Sequence, residues 1–202
     1  KDIGTDSDRA LLLDFQATLE IKPEKAIKLE KDALAQIENI TADNARLVSN
    51  LHANLGGLYR MNGHPDLARE HMEKSISLLD QFNLLHINDS IPQIANYAMF
   101  LTEQQEPERG ISELQKLSGI IKEYHSDDCL DYAKVQETLG TIYLMTANLP
   151  QAKTHFKRAF KIYEKIWADE PEMIEAKYQE IQELYPQIGF CIGKNLSGLL
   201  TK

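Results

Sequence analysis

The chain has 202 residues and a formal charge of −9, and 43 % of its residues are hydrophobic against 26 % charged. This composition supports a packed core, and an acidic chain without a lysine or arginine run argues against a surface that follows nucleic-acid phosphates. No apolar run approaches the roughly 18 residues of a membrane span, and no signal peptide opens the sequence. We therefore expect a cytoplasmic protein that binds neither nucleic acid nor membranes.

Three prolines recur at a fixed period of 42 in the numbering, at Pro23, Pro65 and Pro107. A small residue follows each proline by three positions: Ala26, Ala68 and Gly110. With only 7 prolines in the whole chain, this register is not an accident of composition. Self-similarity at a fixed period indicates a repeat protein, whose units stack into one elongated body. We predict a single domain with repeats at about 7–48, 49–90, 91–132 and 133–174, followed by a cap over 175–202.

The first repeat keeps the register least well. Pro23, Ala26 and Ala33 are in place, but Asp14 stands where the other repeats have a small residue. A charged residue is acceptable at the end of an array if no earlier repeat covers it. We interpret this repeat as degenerate, or as facing an absent upstream segment, and the start at Lys1 suggests a fragment of a longer protein.

The second repeat predicts an antiparallel pair of helices. Its apolar residues recur at spacings of three and four, which is typical of one helix face: Leu47, Val48, Leu51, Leu55, Leu58 and Tyr59. Gly63 can adopt the left-handed conformation that ends a helix, and Pro65 suits the first turn of the next one. Gly56 and Ala68 are small enough for the two helix axes to approach closely.

The third and fourth repeats predict the same hairpin. The third carries Tyr97, Ala98, Leu101, Gly110, Leu114 and Leu117 at the repeat positions. The fourth carries Leu139, Gly140, Tyr143, Ala152, Phe156, Ala159 and Tyr163, with Pro150 one place late. The fold expected for the whole array is therefore all-α.

The segment 175–202 predicts a half repeat that shields the end of the array. Tyr178 and Ile181 continue the register, Gln182 replaces the small seam residue, and Pro186 breaks the helix. The apolar stretch that follows, over 188–200, is expected to pack as a cap. A swapped or dimeric contact through this segment is the alternative, which would make the protein a homodimer.

No set of residues suggests catalysis or metal binding. Cys129 and Cys191 match no metal spacing and are expected to be buried free thiols. The six histidines are scattered without a second ligand type at metal spacing, and no nucleophile has a base beside it. We expect a protein that is not an enzyme and that uses no metal or cofactor.

These residues resemble the tetratricopeptide repeat, whose pattern is a Leu-Gly pair, a Tyr three residues after that Gly, and small residues twelve and nineteen after it. The fourth repeat fits with Leu139-Gly140, Tyr143, Ala152 and Ala159, and the second fits closely. The usual period is about 34 residues, so the longer period here resembles the variety of kinesin light chains and bacterial peptide-sensing regulators. The aromatic at the fourth position is missing throughout, being Ala10, His52, Ile94 and Gln136.

The resemblance implies a right-handed α-α superhelix of about four hairpins, whose concave groove is lined by the first helix of each pair and binds protein or peptide segments. The groove positions that it implies in this chain are Asn50, Asn54, Arg60, Met61, Asn96, Met99, Thr102, Glu137, Thr141 and Met145. Phe15, Thr18 and Leu19 would extend the groove into the first repeat.

Asn54 and Asn96 are one period apart and match the position where long-repeat relatives hold the backbone of a bound peptide. An amide can donate and accept at once, so it suits an extended ligand; the alternative is that both amides tie one helix to the next. Arg60 would bind an acidic group of the ligand or pair within its own helix. The methionines Met61, Met99 and Met145 would line the groove or fill the core.

The sequence thus predicts an interaction module that binds a protein or peptide segment in its groove. One alternative is the sensor domain of a bacterial regulator, in which a bound peptide signals to an effector domain. Another is a structural oligomerisation unit that uses the apolar C-terminal segment.

Overall fold

The computed structural model describes residues 4–184, and this part of the chain folds entirely into α-helices and connecting turns. The helices are α1 (Asp6–Leu19), α2 (Pro23–Leu34), α3 (Ala45–Met61), α4 (Pro65–Gln81), α5 (Ser90–Glu103), α6 (Pro107–Tyr124), α7 (Leu130–Met145), α8 (Leu149–Ile166) and α9 (Pro171–Leu184). The expected all-α class is confirmed.

The helices form two compact units, one up to Glu103 and one from Gln104 onward. In the first unit, α1 packs against α2 and α3 against α4, and α3 also contacts α1, α2 and α5. In the second, α7 packs against α8, with α6 and α9 beside them. The boundary falls between α5 and α6, inside the third predicted repeat, so the single domain stays a prediction.

The recurring prolines open helices, as their spacing predicts. Pro23, Pro65 and Pro107 are the first residues of α2, α4 and α6, and Pro150 is the second residue of α8. A proline fits there because the first N–H groups of a helix have no partner within the helix. The prolines therefore fix where each second helix begins.

The turn within the hairpin is also repeated, although its sequence is not. Gly63, Gln105 and Ala147 follow one another at the repeat period and all have positive φ, at 76°, 65° and 58°. The prediction that Gly63 ends its helix in a left-handed conformation is confirmed. At the two later positions a residue with a Cβ is held in the conformation that favours glycine.

We expect Ala147→Gly to stabilise the protein by about 0.5 to 1 kcal/mol, because glycine adopts a positive φ without the steric cost of a Cβ. Chemical unfolding followed by the fluorescence of the single tryptophan, Trp167, would measure the change, and Ala168→Gly is the exposed control. A loss of stability in the Ala147 variant would contradict this account of the turn.

Small residues allow the two helices of a hairpin to approach, as predicted. A Cβ added at Gly56 would lie 2.6 Å from Met72 Cγ, and one at Gly140 would lie 2.8 Å from the Phe156 ring. Ala68 is fully buried opposite the first of these glycines. Substitution at Gly56 or Gly140 would therefore force the paired helices apart.

Helix α9 continues the register after the fourth hairpin. Tyr178 and Ile181 are buried, and Gln182 is exposed, so α9 has an apolar face towards α8 and a polar face outside. The predictions made for Pro186, Cys191 and the apolar stretch 188–200, including the homodimer contact, lie outside the described residues.

Cys129 is a free thiol, but it is half-buried rather than buried as expected. It lies at the start of α7, where its Sγ accepts a hydrogen bond from the Tyr132 N–H. The thiol thus replaces the oxygen of a usual capping side chain, since the first N–H groups of a helix need an acceptor outside it.

Candidate binding groove

A pocket of about 220 Å³ lies between α3, α4 and α5 in the first unit. We call it the α3 pocket, and its lining residues are Ala53, Gly57, Arg60, Met61, Met72, Ser75, Gln93 and Asn96. Three of the predicted groove residues, Arg60, Met61 and Asn96, therefore meet at one site. Met61 is 82 % exposed and is not a core residue.

The pocket exists because the side chains on this face of α3 are small. Ala53 and Gly57 are separated by one helical turn and leave space above the helix. The positions in register in the fourth repeat carry Glu137 and Thr141, which are larger. The second repeat is therefore specialised on this face.

Polar pairs join α3 to α5 and to the residue before it, and the two partners of each pair are one position more than a period apart. Arg46 Nε donates to Asp89 Oδ2 over 2.6 Å, Gln93 Nε2 donates to Asn50 Oδ1 over 2.6 Å, and Arg60 Nε donates to Glu103 Oε2 over 2.8 Å. We call these pairs the forward ladder. The hydrogen bond from Arg46 holds the pKa of Asp89 below its usual value. Every rung connects the α3 hairpin to the next one along the chain.

The forward ladder corrects the alternative considered for Arg60. Its guanidinium does not pair within α3 but grips the Glu103 carboxylate on α5 through two nitrogens. Such a bidentate pair fixes both side chains at the mouth of the α3 pocket. The signal in the sequence was a cation and an acid one residue more than a repeat apart.

Gln93 is a pocket residue that no sequence pattern indicated. Its Oε1 accepts from Ser49 Oγ over 2.9 Å and from Ser75 Oγ over 2.6 Å, and its amide donates to Asn50. Ser49 and Ser75 are buried, so this network satisfies polar groups that would otherwise be costly. In the structure Asn50 serves the contact between helices.

Asn54 is likewise bonded to the protein. Its amide donates to Asp14 Oδ1 over 2.9 Å and to Glu30 Oε1 over 3.1 Å, which ties α3 to α1 and α2. Asp14 is accepted at its seam position because of this hydrogen bond, and not because it lies uncovered at the end of the array. The expected match between Asn54 and Asn96 is limited to their register, because Asn96 is exposed.

Glu30 is the buried acid of this cluster and is only 1 % exposed. Burial raises the pKa of its carboxyl group to about 8; the Asp14 carboxylate raises it further and the hydrogen bond from Asn54 opposes the shift. Glu30 Oε2 has no hydrogen-bond partner among the described residues. A proton on Glu30 at neutral pH accounts for both observations.

The predicted groove residues of the fourth repeat belong to the second unit. Glu137 accepts a hydrogen bond from Tyr163 Oη over 2.6 Å and pairs with Lys177 Nζ at 2.9 Å. Thr141 Oγ1 donates to the carbonyl oxygen of its own helix at Glu137, and Met145 is 44 % exposed.

The remaining groove positions of the third repeat lie on α5. Thr102 Oγ1 donates to the Ala98 carbonyl oxygen of its own helix, and Met99 is half-buried. Neither residue lines the α3 pocket, so the structure does not bring them together with Arg60 and Met61.

Two histidine contacts repeat two periods apart, and no sequence pattern indicated them. His52 Nδ1 and His71 Nδ1 are 2.9 Å apart, and His155 Nδ1 is 2.9 Å from Gln136 Oε1. His71 stacks on Tyr59, as His155 stacks on Tyr143. His52 and Gln136 are two of the residues that replace the missing aromatic, which was the available signal.

We expect His52 to make the protein sensitive to acid. Burial lowers the pKa of His52 to about 4, with the nearby charges of His71 and Lys74 contributing. Because the unfolded chain takes up this proton near pH 6.5, the stability present above pH 6.5 is lost as the pH falls towards 4. Solvent screening of this half-buried pair limits the loss to about 1 to 2 kcal/mol.

The variant His52→Gln copies the pair of the fourth repeat and should remove this loss. Urea unfolding at pH 7 and pH 4.5 would compare it with the unmodified protein, and the exposed His64→Gln is the matched control. Equal losses on acidification in all three proteins would rule out His52 as the source.

Within residues 4–184, no group of three or more histidine, cysteine or acidic side chains is arranged to hold a metal ion. None of the helices in this range combines the length and apolarity that a membrane crossing requires.

Residues 90–165 match the family model of the tetratricopeptide repeat. No curated protein is significantly similar in sequence. Two solved structures share the fold. BtubC (BKLC) from P. vanneervenii is 20 % identical, with a TM-score of 0.66; the match covers 78 % of this chain and 62 % of that one, which is less than two thirds of its length.

The second structure is a kinesin light chain from Podosopora anserina, with nearly identical TPR-like repeats. It is 13 % identical, with a TM-score of 0.69; the match covers 79 % of this chain and 77 % of that one. The resemblance to tetratricopeptide repeats of the kinesin light chain type is confirmed, and it supports a protein-interaction scaffold.

Proposed function

We propose that the chain is a non-enzymatic module that binds a protein or peptide segment on the face of α3 and α5. The α3 pocket is the observation that carries this proposal, because it is concave and brings an exposed methionine together with polar side chains. Ligand sites commonly combine apolar walls with a few oriented polar groups. Stacked helical repeats use such surfaces for binding.

The forward ladder supports the same proposal. It holds α3 and α5 together through Asn50 and Gln93 at one end and through Arg60 and Glu103 at the other. A surface whose side chains are already fixed loses little conformational entropy when a partner binds. The pocket is therefore preorganised.

Binding can be tested with a library of random peptides displayed on phage and selected against the whole chain. We expect Met61→Glu to weaken the selected peptides at least tenfold, because a charge would enter the mouth of the pocket. Leu67→Glu is the matched control, since Leu67 is also exposed but lies on α4. If no selected peptide responds to Met61→Glu, or if amide exchange of α3 and α5 is unchanged by the peptides, the proposed function is wrong.

A further inference from the structure

Helix α1 exposes a row of large apolar side chains. Leu11 is 49 % exposed, Phe15 is 61 % exposed and Leu19 is 68 % exposed. Their spacing of four residues places them on one face, about 6 Å apart along the helix. Exposed apolar groups that are contiguous mark interaction surfaces more often than scattered ones do. We call these three residues the α1 row.

The α1 row is in register with small residues of α3. One repeat later, Leu11 and Phe15 correspond to Ala53 and Gly57 of the α3 pocket. Because α1 contacts α3 as α3 contacts α5, equivalent positions face the same side of the first unit. Large apolar side chains on α1 therefore stand beside a low surface on α3.

The fold does not require glycine at position 57. A Cβ added there meets no atom within 4 Å, whereas one added at the neighbouring Gly56 would collide with Met72. Glycine in the interior of a helix is less favourable than alanine, and Gly57 has no positive φ that would need it. What the glycine does provide is open space in the α3 pocket.

The shape of this region fits a helix better than an extended strand. Neighbouring helices are typically about 8 to 10 Å apart, so the axes of α1 and α5 lie roughly 16 to 20 Å apart on either side of α3. The low surface at Ala53 and Gly57 then forms the floor of a trough between them. A helix is about 10 to 12 Å wide with its side chains, which matches this width.

Hydrogen bonding favours the same occupant. An extended peptide needs donors and acceptors for its backbone, but the amides of Asn50 and Asn54 are already bonded to neighbouring helices. A helix satisfies its own backbone and requires only an apolar surface for one face. The acidic charge of the chain, −9, favours a partner whose polar face is basic.

We infer that the first unit binds an amphipathic helix of a partner protein, with a basic polar face and with large apolar side chains four residues apart. These side chains lie against the α1 row and over Gly57. This inference rests on the proposed function and specifies the conformation and chemistry of the partner.

The peptides selected on phage would be synthesised in three forms: linear, cross-linked between i and i+4 on the polar face, and with a central proline. Affinity would be measured by fluorescence anisotropy against the whole chain and two variants. Gly57→Leu fills the floor of the trough. Gly119→Leu is the matched control, because Gly119 is a helical glycine of α6 that also faces open space.

We expect Gly57→Leu to weaken binding at least tenfold and Gly119→Leu to leave it unchanged. The cross-link should strengthen binding roughly fivefold and proline should abolish it, since proline breaks a helix. Circular dichroism would verify that both variants remain helical. Tolerance of proline, or loss of binding on cross-linking, would overturn the helical partner while leaving the proposed function intact. Unchanged affinity for Gly57→Leu together with a response to Met61→Glu would likewise overturn only this inference.

Discussion

Replacing Glu30 with glutamine should stabilise the protein at neutral pH by about 2 kcal/mol, because the carboxyl group binds its proton more tightly in the folded state. Burial raises the pKa of Glu30 to about 8, against an ordinary value of 4.5. Between these values the folded protein keeps a proton that the unfolded chain releases, so stability is highest below pH 4.5 and falls as the pH rises towards 8. The amide of glutamine carries no such proton and can still accept the hydrogen bond from Asn54.

The gain from Glu30→Gln should therefore depend on pH. It should be about 2 kcal/mol at pH 7, after allowance for screening by solvent, and it should vanish near pH 4, where Glu30 is protonated in both states. Amide exchange of α1, α2 and α3 would measure it locally, and Glu24→Gln, an exposed position on the same helix, is the control. A gain that is the same at both pH values would show that packing, and not the proton, is responsible.

Replacing Glu137 with alanine should destabilise the second unit by about 3 kcal/mol. The change leaves the hydroxyl of Tyr163 buried without its acceptor and removes one of the carboxylates that pair with Lys177. Unpaired buried polar groups cost about 1 to 3 kcal/mol, and a stranded, partly buried charge adds to this. Trp167 stacks on Tyr163 with ring centroids 4.9 Å apart, so its fluorescence reports unfolding here.

A second variant separates the two contributions. Glu137→Gln keeps an acceptor for Tyr163 but removes the charge that faces Lys177, so the loss should be about 1 kcal/mol. The exposed Glu172→Gln on α9 controls for the general loss of one negative charge. If Glu137→Ala were as stable as the unmodified protein, Glu137 would be free to act as the groove residue that its register implies.

Repeat spacing predicts backbone features well because they depend on local conformation. The prolines open helices, and Gly63 closes one, because fixed or positive φ angles are properties of single residues and their neighbours. The left-handed Ala147 could be predicted only by aligning it with Gly63. Its own identity gave no signal.

The side-chain contacts were harder to predict, because long polar side chains reach beyond their own repeat. Arg60 extends to Glu103 and Glu137 extends to Lys177, so register alone assigns both to a groove without showing their partners. No change in composition marks the boundary at Glu103. Gln93 gave no signal because a glutamine has no typical position in a pattern of small and apolar residues.

The forward ladder also limits how this gene segment can change by recombination. Each rung joins the α3 hairpin to the one that follows it, and the partners on the later side are Asp89, Gln93 and Glu103. A tandem copy of the α3 hairpin would instead place Leu47, Leu51 and Met61, the residues one period earlier, beside the first copy. Unequal crossing-over would thus break three rungs at once, so the order of these repeats is constrained by their polar contacts even though their backbones are interchangeable.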